Sequence, residues 1–269
     1  MTNYFPAKDI DSVLSQLLQI INDSELKNER IGYFAALYHK VTLKVKEDID
    51  NKLFEDPARL ERLDVLFANR YLYAVSEWKK DKNSASVSKS WKIAFESSGH
   101  SSYLVLQHLL LGMNAHINFD LGIAVAEAAK NGGTVEDLRK DYNAINTILS
   151  ALTYSVFNKL NIVSPFLSLI GFTGTRSNSM LVQFSLSNAR DGAWCFATDL
   201  MKKSGSDYDA FITARDAEME GLGKLLITSK GFLKIGIFFI RLFEWKKVNK
   251  IIGVLSSKKL MLNEVVKIV

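Results

Sequence analysis

The sequence predicts an all-α protein: a single multi-helix, bundle-like domain built on a central buried helix over about residues 102–130, with a basic, amphipathic segment at its C-terminal end. Three observations predict it. Apolar residues recur at helical spacing along most of the 269 residues. Only three prolines occur (Pro6, Pro57, Pro165), and no series of β-rich runs separated by turn dipeptides points to a sandwich or barrel. A hydrophobic content of 48 % is ample for a buried core in a chain of this length.

Leu14, Leu17, Leu18 and Ile21 predict a first helix over 7–21, ended by Asn22-Asp23-Ser24. Phe34, Leu37, Tyr38, Val41 and Val45 form the apolar stripe of a second, over 31–49. Asp56-Pro57 is a helix start, with aspartate as cap and proline in the first turn, and leads into a third helix ending near Trp78. The polar stretch 79–90 reads as a loop and 91–95 as a short helix after it. The central helix follows, closed by Asn131-Gly132-Gly133. Thr134 to Asp137 resembles a cap with acidic first-turn residues and opens a helix to about Leu160. Pro165, Gly171 and Gly174 mark the clearest break, and two helices, roughly 177–203 and 207–226, precede the tail. Residues 1–226 are expected to form the helical domain, and 227–269 a helical appendage packed on it or on a membrane surface.

The net charge of +5 is unevenly spread: from Lys224 onward ten Lys or Arg face only Glu244 and Glu264, so a slightly acidic body carries a basic tail. Residues 231–247 combine bulky apolar side chains, Trp245 and a basic flank. That composition suits a helix lying in a membrane interface, and equally a core-packing helix with snorkelling lysines. Nucleic acid is the less favoured partner, because the basic residues alternate with large aliphatics rather than with exposed aromatics and glycines. One cysteine, Cys195, forms no internal disulfide, and the start lacks a basic-then-apolar secretory pattern. The expectation is a cytoplasmic protein, peripheral at the inner membrane face if the tail meets lipid. No run reaches about eighteen uninterrupted apolar residues, so no transmembrane helix is expected. Cys195, beside Trp194, reads as a buried apolar thiol, and His39 and His100 as solvated.

The segment 104–126 is apolar nearly all round, as suits a helix at the centre of a bundle. Its polar residues therefore need an account. At about 100° per residue, and with His108 as zero, His116, Asp120 and Glu127 fall at about 80°, 120° and 100°, while Gln107, Asn114 and Asn118 fall at about 260°, 240° and 280°. An imidazole–carboxylate face thus opposes a carboxamide face. His116 and Asp120, one turn apart, could converge on a metal ion or a reacting proton, or form a buried pair that merely satisfies itself. Unpaired buried polar groups each cost about 1–3 kcal/mol, so their concentration here favours use. Arg70, within an apolar helix, wants a carboxylate, for which Asp120 is a candidate; Asp64 and Tyr71 share another side of that helix. Arg190, Asp191 and Trp194 form a second polar-aromatic patch.

Nucleotide-binding glycine loops, the GxSxG elbow, HExxH, paired CxxC, paired ExxH and aspartate-rich diphosphate motifs do not occur. The string Leu111-Gly-Met-Asn-Ala-His-Ile-Asn-Phe-Asp-Leu121, with Phe67-Ala-Asn-Arg-Tyr-Leu72 and Phe54-Glu-Asp-Pro57 upstream, resembles a bacterial family known only as a domain of unknown function. The likeness covers most of the chain to about residue 205 and singles out Asn114, His116, Asn118 and Asp120, but implies no reaction. From the residues themselves, the expectation is a helical enzyme acting on a small or lipid-like apolar substrate. His116 and Asp120 would be its catalytic pair, with one divalent metal held by His116, Asp120 and Glu127 if a metal is used. Asn114, Asn118, Arg70 and Arg190 would bind substrate. The competing expectation is a non-enzymatic, peripheral lipid-binding or scaffold protein.

Overall fold

The computed structural model describes residues 5–130, 133–167, 186–228 and 231–257, and all regular structure among them is helical. Helix α1 (Ile10–Lys27) begins at Asp9, whose carboxylate accepts from the Ser12 amide at 2.7 Å while the Ser12 hydroxyl accepts from the Asp9 amide. It does not stop at Asn22. Ser24 is buried against the next helix, and the chain leaves α1 only at Asn28, in the left-handed conformation that asparagine tolerates. α2 (Ile31–Asp50) and α3 (Pro57–Lys80) fall where the sequence places them, and Asp56 caps α3 by accepting from the Arg59 amide at 2.9 Å. α4 (Lys89–Ser98) is longer than the stretch 91–95.

The central helix runs from Val105 to Lys130 as α5 (Val105–Met113), a seven-residue π segment (Asn114–Asp120) and α6 (Leu121–Lys130). By length and composition it could cross a membrane, yet 89 % of its apolar window is buried inside the protein, which makes it a core helix. A 3₁₀ turn (Glu136–Leu138) leads into α7 (Arg139–Val163); α8 (Leu186–Leu200), α9 (Gly205–Ile227), α10 (Gly231–Phe243) and α11 (Val248–Ser256) follow. Gly171, Gly174 and the expected start of a helix at 177 lie outside the described residues.

Two apolar cores share this central helix. α5 enters the first, with Leu17 of α1, Phe34 of α2, Trp91 of α4 and Ile251 of α11. α6 enters the second, with Leu63 of α3, Tyr142 of α7 and Trp194 of α8. The π segment lies at the junction. Gly112 admits the Phe34 ring so closely that an added Cβ would sit 2.5 Å from it. At Gly122 a Cβ would meet Phe196 Cδ1 at 2.5 Å and the Ala193 carbonyl at 2.8 Å, and α8 backbone cannot rotate away. Gly122→Ala is expected to destabilise the protein by about 1–3 kcal/mol in denaturant unfolding, the usual range for overpacking; no change would mean that α8 slides freely on α6.

The tail residues are tied to the body. Glu244, buried, accepts from the Val105 amide at 3.0 Å and from the Ser164 hydroxyl, so it caps α5 from the far end of the sequence. The Trp245 amide donates to the Val163 carbonyl at 2.8 Å. Lys159 Nζ, 1 % exposed, donates to the Leu255 and Ser257 carbonyls at the end of α11, where the helix dipole favours a donor. Cys195 differs from its expectation: Trp194 takes the inward position on α8, and the adjacent thiol faces outward and is exposed.

Candidate functional site

The π segment carries the four residues singled out by the sequence, and it divides them as the helical angles predict. On the side facing α9, Asn118 Nδ2 donates to Asn114 Oδ1 at 3.0 Å, Asn114 Nδ2 donates to the Met219 carbonyl at 2.7 Å, and Gln107 Nε2 donates to the Leu226 carbonyl at 3.0 Å. Asn114 and Gln107 thus bind helix α9 directly, and the Asn118 side chain joins them through Asn114.

On the other side Asp120, 2 % exposed, accepts from Arg70 Nε at 3.0 Å through Oδ1 and from Trp91 Nε1 at 2.7 Å through Oδ2, which is also 3.5 Å from His116 Nδ1. Arg70 finds the carboxylate expected for it, and its Nη1 stands 3.7 Å from Glu127. This geometry gives the metal expectation no support. A guanidinium, not a gap, lies between Asp120 and Glu127; Asp120 has a cationic and an indole donor in place; and no group of three His, Cys, Asp or Glu suited to a metal occurs among the described residues.

His116 is enclosed by rings: Phe67 stacks on it at 3.6 Å between centroids, Tyr38 meets it edge-on at 4.4 Å, and Phe34, Tyr71 and Trp91 stand within 6.0 Å. Burial holds its pKa below the ordinary histidine value, outweighing the Asp120 carboxylate, which acts in the opposite sense. A neutral ring with its proton on Nδ1, toward Asp120, leaves Nε2 as an acceptor. Nε2 is buried without a hydrogen-bond partner.

His116 forms part of the wall of a cavity of about 580 Å³ running between α2, α3, α5, the π segment and α7. Leu106, Leu110 and Leu160 line the part next to the first core, and Val45, Leu60 and Tyr142 the part next to the second. Among its charged or ionisable lining groups are His116, Asp64 and Arg190. Asp64 has one carboxylate oxygen buried without a partner, and burial, reinforced by the Glu61 charge, pushes its pKa up to about 7. Its sequence signal is a carboxylate interrupting the apolar stripe Leu60, Leu63, Phe67 and Tyr71 of α3, a stripe that the Asp64–Tyr71 spacing touches without marking the residue as part of a site.

Arg190, 5 % exposed, sits on the Tyr142 ring at 4.0 Å, donates from Nε to Asn146 Oδ1 at 2.7 Å, and donates from Nη2 to the Tyr142 carbonyl. No carboxylate lies within ion-pair distance of it among the described residues, and its hydrogen-bond partners are neutral. Residues 168–185, just before α8, contain no Asp or Glu.

Fold and site together define a class: an all-helical protein with an apolar cavity between its helices, in whose wall stands a buried histidine paired with a carboxylate behind it. Residues 10–229 match a family of unknown function (DUF5995), and the chain belongs to that family. The matched residues include α1 to α9 and every group of the site. No curated protein and no solved structure matches the chain.

Proposed function

We propose that the protein is an enzyme that binds a lipid-like molecule with an anionic head in the 580 Å³ cavity and moves a proton at His116 Nε2. The observation that carries this reading is the buried, unpartnered Nε2 of a neutral histidine in an otherwise apolar wall. An unsatisfied acceptor of this kind costs about 1–3 kcal/mol, and substitution by phenylalanine would remove it at no loss of packing. Retention of imidazole is accounted for by a proton taken from the bound molecule or from water beside it. Asp120 holds the ring's tautomer and stabilises the imidazolium that forms. Arg190, a buried cation with neutral partners, offers its charge to a carboxylate or phosphate on the ligand, and the leucines beyond His116 receive the chain. Nε2 has almost no surface open to the empty cavity, so the rings around it shift when ligand enters. π segments within α-helices are frequent at functional sites, and this one carries both His116 and Asp120.

The test uses a fluorescent fatty-acid analogue for binding, and product detection by mass spectrometry after incubation with total lipid extract. Wild type should bind the analogue and convert at least one extract component. His116→Phe should keep its fold and its binding and lose conversion by at least about a hundredfold, the usual contribution of a general base. Arg190→Met should weaken binding about tenfold or more, the scale of one charge-assisted hydrogen bond. Wild type that neither binds nor converts, or a His116→Phe protein that converts equally well, would overturn the reading. Binding without conversion would instead support a lipid carrier.

A further inference from the structure

α10 presents an apolar surface to solvent. Phe238 and Phe243 are 60 % and 57 % exposed, and Ile235, Phe239, Leu242 and Trp245 are also exposed. The opposite side of the helix is anchored by Ile240, fully buried in the first core, while Glu244 and the Trp245 amide fix the helix end to α5 and α7. The exposed side therefore belongs to a rigid element rather than to a loose tail. Phe166, from the turn after α7, adds to it: its ring packs on Phe243 at 5.1 Å and its backbone takes φ 75°, an unfavourable conformation for a bulky residue, while the side chain stays exposed. Singly scattered surface apolar residues are ordinary; a contiguous aromatic patch on a fixed helix is an interaction surface.

The charges around the patch have one sign. Lys234, Lys246 and Lys247 are exposed at its two ends, and the only acidic residue in 231–257, Glu244, is buried as the cap of α5. Bulky aromatics and a tryptophan between lysines, with no outward carboxylate, match the headgroup region of a bilayer that contains anionic lipid. The rings reach the acyl boundary and the ammonium groups meet phosphate. We infer that α10, with Phe166, docks the protein on an anionic membrane surface. The position is apt for a cavity that takes lipid: of the cavity-lining residues, Leu106 directly follows Val105 and Leu160 lies one helical turn before Val163, the two residues to which the end of α10 is fixed.

This inference stands apart from the chemistry at His116, and its test separates the two. The full chain is sedimented with phosphatidylcholine vesicles with and without phosphatidylglycerol, at low and high salt. Wild type should bind the anionic vesicles, more weakly as salt is raised, with little binding to pure phosphatidylcholine. Phe238→Ala/Phe239→Ala and Lys234→Glu/Lys247→Glu, each with unchanged circular dichroism and melting temperature, should lose binding by at least about tenfold. His116→Phe should bind vesicles as wild type does, whatever its activity. Wild type that remains in the supernatant with both vesicle types, or binding untouched by either double substitution, would overturn the proposal. So would a wild-type dimer in analytical ultracentrifugation that is lost on Phe238→Ala/Phe239→Ala, since the face would then belong to a second copy.

Discussion

Asp120→Ala is expected to destabilise the folded protein by about 3–5 kcal/mol, the range found when one member of a buried ion pair is removed. The residue is nearly inaccessible, and it alone satisfies the Trp91 indole N–H at 2.7 Å while holding Arg70 Nε at 3.0 Å. Its loss strands both donors and releases His116. Arg70 keeps some access to water and a longer contact to Glu127 at 3.7 Å, which limits the damage on that side. Trp91 has no such reserve, being 2 % exposed against Phe34, Tyr71 and Phe95. Against a total stability of about 5–15 kcal/mol for an ordinary domain, this loss brings the protein close to unfolding. Chemical denaturation measures it directly. A loss below about 1 kcal/mol would mean that water replaces the carboxylate, and the pair would then be dispensable to the fold.

Asp64→Asn should act in the opposite direction. Its pKa is raised from 3.8 to about 7 by burial and the Glu61 charge. Between those values the folded chain holds a proton that the unfolded chain has lost. The contribution of this residue to stability therefore falls as pH rises through that window and stays lost above it, the reverse of an ion-paired carboxylate. A shift of this size corresponds to about 4 kcal/mol at most. Asparagine, which does not titrate, should make the protein more stable than wild type by about 2–4 kcal/mol near pH 8 and leave it unchanged near pH 4. Paired melting curves across that range give the answer. Equal stability at every pH would place the Asp64 carboxylate in water. A stabilising loss of this kind is what a group kept for function rather than for folding displays, so the variant's ligand binding and turnover should be measured beside its melting temperature.

The helices and the polar faces of the central helix were legible because both depend on spacing within one element. Angles alone put His116 beside Asp120 and the carboxamides opposite, and an arginine inside an apolar stripe called for Asp120. What spacing could not supply were partners from other helices. Trp91 reaches Asp120 from α4, Phe67 and Tyr38 close on His116 from α3 and α2, and α9 claims Asn114. Glu127 was placed with His116 and Asp120 by angle, but a guanidinium from α3 stands in that space. The continuation of α1 past Asn22 follows the same pattern: local residues allow a stop, and Ser24 packing against Gly32 overrides it. Asp64 could be placed only on one side of α3 with Tyr71, because nothing in its own helix reveals that the stripe it interrupts faces a cavity rather than a packed core.

The π segment also bears on descent. A π turn is an α-helix that has absorbed an extra residue without losing its axis. The wider turn between α5 and α6 joins two halves of one helix, each seated in its own core. Removing one residue from 114–120 would let the helix close into plain α geometry and keep both cores, while changing how His116 and Asp120 meet Phe67, Arg70 and Trp91 on the neighbouring helices. A relative lacking one residue at this point would thus retain the architecture and lose the arrangement around Asp120, so a one-residue gap here would tell the two apart.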